Sequence, residues 1–372
     1  MKKTIITLLL CAAALPSIAN ERNLILVTID GLRWQEVFNG KQQALIEDKI
    51  LTKHVTPLIQ TLTKQNSEQA KHTLMPFIWD TVAQQGTLIG DRNKGSKMSV
   101  SNNWHFSYPG YSEIFTGVAN DSLNSNNKVP NPEVSFVEWL YQQQGYSKAA
   151  AFGSWDVFPY IFNTERSKLY VNAGFDDAMA AYHSEQANLL NALQREIPSP
   201  WHNVRLDSFT HRFALDYLEK NKPKVLVISY GETDDFAHDG HYDQYLSAAH
   251  RTDNFLADLW QKLQQMPEYA NNTNLLIVTD HGRGKNKQDW QHHASAQAVK
   301  SYMKGLKQFK EGVQGSAHIW MAAIGPDIKT KGLLTTEHEI YQKQVAATAL
   351  TLLGQSPNAF NPDAGAAIKE LL

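Results

Sequence analysis

The chain reads as an α/β fold, a doubly wound, mostly parallel sheet with helices on both faces and surface insertions. Three observations carry this. Short, continuous apolar runs rich in β-branched residues, the mark of strands buried on both faces, recur at 23–29, 224–229 and 274–279. Each run ends in acids: Asp30-Gly31, the stretch YGETDDFAHDGH, and Asp280-His281-Gly282. Between them strand and helix patterns alternate without a repeat or a linker, which predicts one domain over residues 20–372.

Taken in order, residues 1–19 read as an export signal. Lys2-Lys3 form a basic start, an apolar run spans 5–15, and Ser17-Ile18-Ala19 is a small-x-small cleavage site. The run is too short to cross a bilayer comfortably. Cys11, the only cysteine, lies within it, so the processed chain would carry no thiol or disulfide. A periplasmic or secreted protein follows. Of 35 basic and 37 acidic residues, the signal removes two lysines and no acid, giving 33 − 37 = −4. No lysine or arginine run stands out, which argues against nucleic acid as a partner.

Downstream, 74–85 predicts a helix stopped by Gly86, and 87–90 a short strand. Helices are expected at 134–144, 177–195 and 208–220, with a strand at 148–152. Residues 242–266 form a long amphipathic helical pattern. The polar, lysine-rich stretch 284–314 reads as a surface excursion. A fourth strand is expected at 318–324, closed by Gly325-Pro326, and a last helix at 340–353, stopped by Gly354.

Chemistry gathers at the strand ends, which converge at one edge of such a sheet. Asp-Gly after a strand is ordinarily a turn, but Asp280-His281 places two ligand-type residues where packing asks for neither. Asp234 and His238 stand four apart, on one face of a helical turn. Asp235 and His241 are close substitutes. Carboxylate and imidazole together suit zinc. His292 and His293 add two imidazoles from the excursion. The stretch 104–117, WHFSYPGYSEIFTG, sets Ser107 at the start of a helix, where backbone N–H groups favour an anion. The plainer reading of Ser107 is a helix cap. Asn102, Asn103, Tyr111, Tyr230 and Arg283 lie near these motifs in sequence. Asn103, Tyr111 and Arg283 are the candidate substrate contacts among them.

The order of these motifs resembles the alkaline phosphatase superfamily, and within it the type I phosphodiesterase/nucleotide pyrophosphatase and sulfatase-like group. Thr116-Gly117 follows Ser107 by nine and ten residues, Pro109 by two, and the ending from His318 is similar to that group's last core strand and helix. The resemblance implies Ser107 as nucleophile, passing through a phosphoseryl intermediate. It implies one metal held by Asp30, Ser107, Asp280 and His281, and a second by Asp234, His238 and a late histidine. The Trp-x-x-His pattern after DHGRG points to His293, with His292 and His318 as alternatives. Two zinc ions about 4 Å apart would then clamp an in-line displacement at phosphorus. The sequence departs from the pyrophosphatase pattern at Gly110 and Tyr111, where Asn and His are expected, and from the sulfatase pattern at Tyr111, where Arg is expected. A small-molecule phosphate ester is the implied substrate, with monoester, diester and phosphonate open. A sulfatase-like hydrolase and a non-catalytic binding protein on the same fold are the alternatives.

Overall fold

The computed structural model describes residues 22–143 and 145–372. The expected export signal and Gln144 lie outside the described residues. Among the described residues eleven strands follow in chain order: β1 (Asn23–Ile29), β2 (Thr87–Ile89), β3 (Met98–Ser99), β4 (Ala150–Gly153), β5 (Tyr170–Ala173), β6 (Val225–Tyr230), β7 (Thr273–Thr279), β8 (His318–Ile319), β9 (Met321–Ile324), β10 (Gly332–Leu333) and β11 (Ile340–Tyr341). The large sheet has the order β10-β2-β9-β7-β1-β6-β4-β5, and β9 is the strand that runs against its neighbours. A small sheet, β11-β3-β8, stands apart. Among the described residues no helix is long and apolar enough to cross a membrane.

β1 lies near the middle of the sheet, and all seven of its residues are buried. Leu24 and Leu26 pack on one face with Tyr108, Ile114 and Phe115 from the helix Ser107–Thr116. Ile25, Val27 and Ile29 pack on the other with Phe213, Leu246 and Leu256 from the helices Asp207–Asn221 and Tyr242–Gln265. Each such side chain contributes roughly 1.5–3 kcal/mol by leaving water. The parallel register pairs Ile29 with both Tyr230 and Thr279. Three strands therefore end level, and Asp30, Gly231 and Asp280 emerge at one edge.

Several elements differ from the pattern-based expectation. β5 replaces nothing foreseen, and the helix expected from 177 begins at Ala187 (Ala187–Glu196), since 174–186 is turn and loop. The helix expected at 74–85 does run up to Gly86, but as a π-helical segment (Phe77–Val82) followed by one α-turn (Ala83–Gln85), with the Phe77 and Ile78 N–H groups held by Asp253, while Leu74 ends the preceding helix Ser67–Leu74. The strand expected at 318–324 divides at Trp320 between two sheets, and the last helix starts only at Gln344. The excursion 284–314 is no simple surface loop: Trp290 is fully buried against Tyr242 and Tyr245, and Ala294, Ala298 and Val313 form a small core with Trp104 and Phe106. Its apolar residues are spaced too widely among lysines for a periodic pattern to show.

His211 is buried, bonded through Nδ1 to the Tyr230 hydroxyl (2.8 Å) and through Nε2 to Asp258 (3.1 Å). Burial pushes its pKa down from 6.5 to about 4 despite the pull of Asp258. The folded value lies below the unfolded one, so this stability is present above pH 6.5 and is lost as pH falls toward 4. His211→Gln should flatten the loss of stability over that range by about 3 kcal/mol. Urea titrations of both proteins across the range measure it; parallel slopes would mean that His211 does not titrate there.

Candidate active site

The level strand ends bring the acids together. His281 Nε2 lies 3.3 Å from Asp30 Oδ1, 3.5 Å from Asp280 Oδ2 and 3.6 Å from Asp234 Oδ1. Its Nδ1 donates to the Gly282 carbonyl (2.9 Å), which turns Nε2 toward the carboxylates. Asp280 accepts the Gly31 N–H through Oδ1 (3.0 Å), while its buried Oδ2 has no hydrogen-bond partner among the described residues. Gly31 has φ +58°, and a side chain there would run into Asp234 and Arg283.

Ser107 is the first residue of its helix; Phe106 is the N-cap and makes no side-chain cap bond. The cap reading of Ser107 is therefore corrected. Its Oγ turns instead to His281 Nε2 (3.3 Å) and Asp30 Oδ1 (3.5 Å). The next residue's N–H, from Tyr108, is taken by Asn126 Oδ1 (3.0 Å).

Asp234 and His238 come from the short helix Glu232–His238 that follows β6. His238 Nε2 lies 3.1 Å from Asp234 Oδ2 and 3.1 Å from His293 Nε2. His293 Nδ1 donates to the His105 carbonyl (3.1 Å), and its ring stacks on His281 with centroids 3.8 Å apart. His292 instead packs near Phe309, and His318 pairs across to Ser99 in the small sheet. Among the described residues, two groups of donor atoms, Asp30/Asp280/His281 and Asp234/His281/His293, each lie within 4.8 Å of one another.

The charges explain themselves by burial and proximity. Burial, then Asp234, raises the pKa of Asp30; burial, then Asp30, raises that of Asp280 well above the ordinary range. Burial opposes a charged His281, but Asp280 and the other carboxylates outweigh it and lift its pKa to about 9. Burial would also raise Asp234; His238 and Arg283 override it and hold that carboxyl well below its usual value. Burial, then His281, keeps His293 neutral. The orphaned Asp280 oxygen, three carboxylates and the His281 and His293 imidazoles, whose Nδ1 atoms are committed to carbonyls, fit a divalent cation.

A cavity of about 620 Å³ opens over Asp30, Ser107, Asp234 and His238. Its outer wall comes from loops that carry no sequence signal, with Asn126, Lys128, Trp155, Asp156, His202 and Tyr302 among its residues. Lys128 is paired with Asp156 at 2.7 Å. The three residues expected to touch substrate do not line this cavity. Asn103 is exposed and donates to Asp121 (2.6 Å). The Tyr111 hydroxyl donates to Asp30 Oδ2 (3.0 Å), and burial, then Asp30, keeps it protonated. Arg283 is fully buried, bonded to Asp234 and to the carbonyls of Trp290 and Gln291. Nearness in sequence carried no information about the side their side chains face.

A family model for type I phosphodiesterase/nucleotide pyrophosphatase matches residues 24–305. The chain belongs to this family. Its fold is that of the alkaline phosphatase superfamily. The alkaline phosphatase PafA aligns over 96% of this chain and 100% of its own, with a TM-score of 0.55 and 11% identity. The phosphonate monoester hydrolase SpPMH from Silicibacter pomeroyi aligns over 94% and 76%, with a TM-score of 0.56 and 13% identity. An alkaline phosphatase superfamily protein from Vibrio parahaemolyticus aligns over 95% and 70%, with a TM-score of 0.51 and 13% identity. No curated protein sequence matches. This family member is a hydrolase on an alkaline phosphatase-like fold, with candidate metal-ligand groups at the sheet edge among the described residues.

The helix of Ser107 rests directly on the strand end that carries Asp280. A Cβ at Gly110 would run into the Asp280 carbonyl oxygen. This accounts for glycine where the family resemblance led to an expectation of Asn, three residues after Ser107. Gly110→Ala should cost about 1–3 kcal/mol by overpacking and lift Ser107 away from His281. Thermal melting reads the first effect and a crystal structure the second; an unshifted melt and an unmoved Ser107 would remove this constraint.

Proposed function

We propose that this family member hydrolyses phosphoric esters with Ser107 as its nucleophile, on two zinc ions. The observation that carries the reading is the position of Ser107 Oγ, 3.3 Å from His281 Nε2 and 3.5 Å from Asp30 Oδ1, in the lining of the cavity. Asp30, Ser107, Asp280 and His281 would hold one ion, and Asp234, His238 and His293 the other. The ions would supply Lewis acidity to the attacking and departing oxygens and neutralise charge on the phosphoryl group.

The chain's own residues do the rest. The Ser107 hydroxyl gives its proton to solvent and its oxygen bonds phosphorus as the ester oxygen leaves on the opposite side and takes a proton from water; water later cleaves the phosphoserine to regenerate the serine and release phosphate. The start of the helix favours the negative charge that gathers there. Asn126, its carbonyl oxygen held by the Tyr108 N–H, has its NH₂ group left to donate to a non-bridging phosphoryl oxygen. Tyr111 holds Asp30, and Arg283 holds Asp234, each by a hydrogen bond to a carboxylate oxygen; both are positioning residues in this account. The family match supports a diester as substrate, with monoesters also within the reading. The N-terminal pattern of residues 1–19 supports action outside the cytoplasm.

Ser107→Ala should lower turnover by about a thousandfold or more while metal remains bound. Wild-type protein quenched in acid with substrate should carry phosphate on Ser107, mapped by mass spectrometry, and the mutant should not. Unchanged turnover in the mutant would move the nucleophile elsewhere. A panel of p-nitrophenyl phosphate, phenylphosphonate, bis-phosphate and sulfate reads the substrate class; hydrolysis of the sulfate alone would replace this reading with a sulfatase.

Chelation should abolish hydrolysis and zinc should restore it. Affinity for zinc should fall in acid, because the imidazoles must be neutral and the carboxylates ionised to bind. Full turnover in excess chelator, with no metal in the protein by elemental analysis, would contradict the two-ion reading.

A further inference from the structure

Glu113 sits in the middle of the nucleophile helix and is fully buried, yet it touches neither the cavity nor any of the proposed ligands. A buried carboxylate is costly unless its oxygens are satisfied. Here they accept only N–H donors. Oε1 takes the backbone N–H of Ser101 (2.9 Å) and of Lys343 (2.9 Å). Oε2 takes the backbone N–H of Asn102 (2.9 Å) and its side-chain Nδ2 (2.9 Å).

The last of these bonds has a consequence at the metal site. Because Nδ2 points at Glu113, the other end of the amide, Oδ1, faces the turn that follows. It accepts the N–H groups of Trp104 and His105, each at 3.0 Å. His105 adopts φ +58°, the left-handed region that a non-glycine residue enters only when its surroundings impose it. The His105 carbonyl then meets His293 Nδ1 at 3.1 Å. That bond sets the tautomer: the proton is on Nδ1, and the Nε2 lone pair faces His238 and Asp234. The same turn grips the neighbouring segment, with Ser295 N–H donating to the Trp104 carbonyl (3.1 Å) and Ser295 Oγ to the Asn103 carbonyl (2.5 Å).

We infer that Glu113 is a positioning residue that, through Asn102 and the His105 carbonyl, fixes the orientation and tautomer of His293 as a metal ligand. The inference rests on the two-ion reading for its purpose, and on the hydrogen bonds alone for its mechanism. It links the helix that presents the nucleophile to the imidazole of the farther ion. A partner that orients a ligand histidine typically changes metal affinity about 10–100-fold when removed.

Glu113→Gln tests it. Both oxygens of Glu113 accept N–H groups, so the NH₂ of a glutamine must face a donor whichever way it turns. Zinc titration of the full-length protein against a competing chelator should show one of two binding phases weakened about 10–100-fold, the other within a few-fold of wild type. Nitrogen-15 NMR of the metal-free protein should show His293 held in one tautomer in the wild type and in a mixture in the variant. If Glu113→Gln fails to fold, Asn102→Ala breaks the middle link and leaves the backbone donors to Glu113; the same two changes are expected. A lowered melting temperature with both zinc phases and the tautomer unchanged would reduce Glu113 to a structural role and overturn the inference. A wild-type chain that binds no zinc would overturn the two-ion reading, while the tautomer comparison would still decide for or against the relay.

Discussion

Three carboxylates out of water around a single imidazole nitrogen set the terms for this molecule. Asp30, Asp234 and Asp280 each place an oxygen within 3.3–3.6 Å of His281 Nε2. Like charges this close in a medium of low dielectric repel by several kcal/mol. The crowding is relieved by retained protons or by a bound cation: burial and the neighbouring acids hold the Asp280 proton, and the carboxylates hold that of His281. Arg283 relieves part of it from behind Asp234. Metal ions would relieve the remainder from the cavity side.

The sheet makes this crowding possible at small cost. β1, β6 and β7 are buried on both faces and share one register, so their ends cannot drift apart without breaking the centre of the core. The helix that begins at Ser107 is pressed onto the same edge at Gly110. The loop bearing His293 is tied down by the buried Trp290 and by Arg283, which bonds both to Asp234 and to the carbonyls just before His293. Arg33 extends this frame. It pairs with the buried Glu36, which also accepts the hydroxyl of Tyr242, and it donates to the Gly284 carbonyl. Rigidity near the reacting atoms thus comes from buried charge and hydrogen bonds laid over an apolar base.

What the sequence made legible follows from this division. Continuous apolar runs ending in acids are local signals, so β1, β6 and β7, with Asp30, Asp234 and Asp280, could be read from the chain. The pairing of Asp234 with His238 follows from one helical turn. The cavity wall could not be read, because Asn126, Trp155, Asp156 and His202 come from loops joined only by tertiary structure. Tyr111 and Arg283 lie beside the right motifs, but orientation depends on packing, and both turn to aspartates. The excursion 284–314 looked like a solvated loop because its buried residues are few and unevenly spaced. Glu113 gave no signal, since a glutamate in a helix is ordinarily exposed.

Zinc-edge anomalous scattering from crystals of the zinc-loaded protein tests the central claim most directly. The account predicts two peaks, one among Asp30, Ser107, Asp280 and His281 and one among Asp234, His238 and His293. A single ion shared through His281, or scattering away from these aspartates, would contradict it.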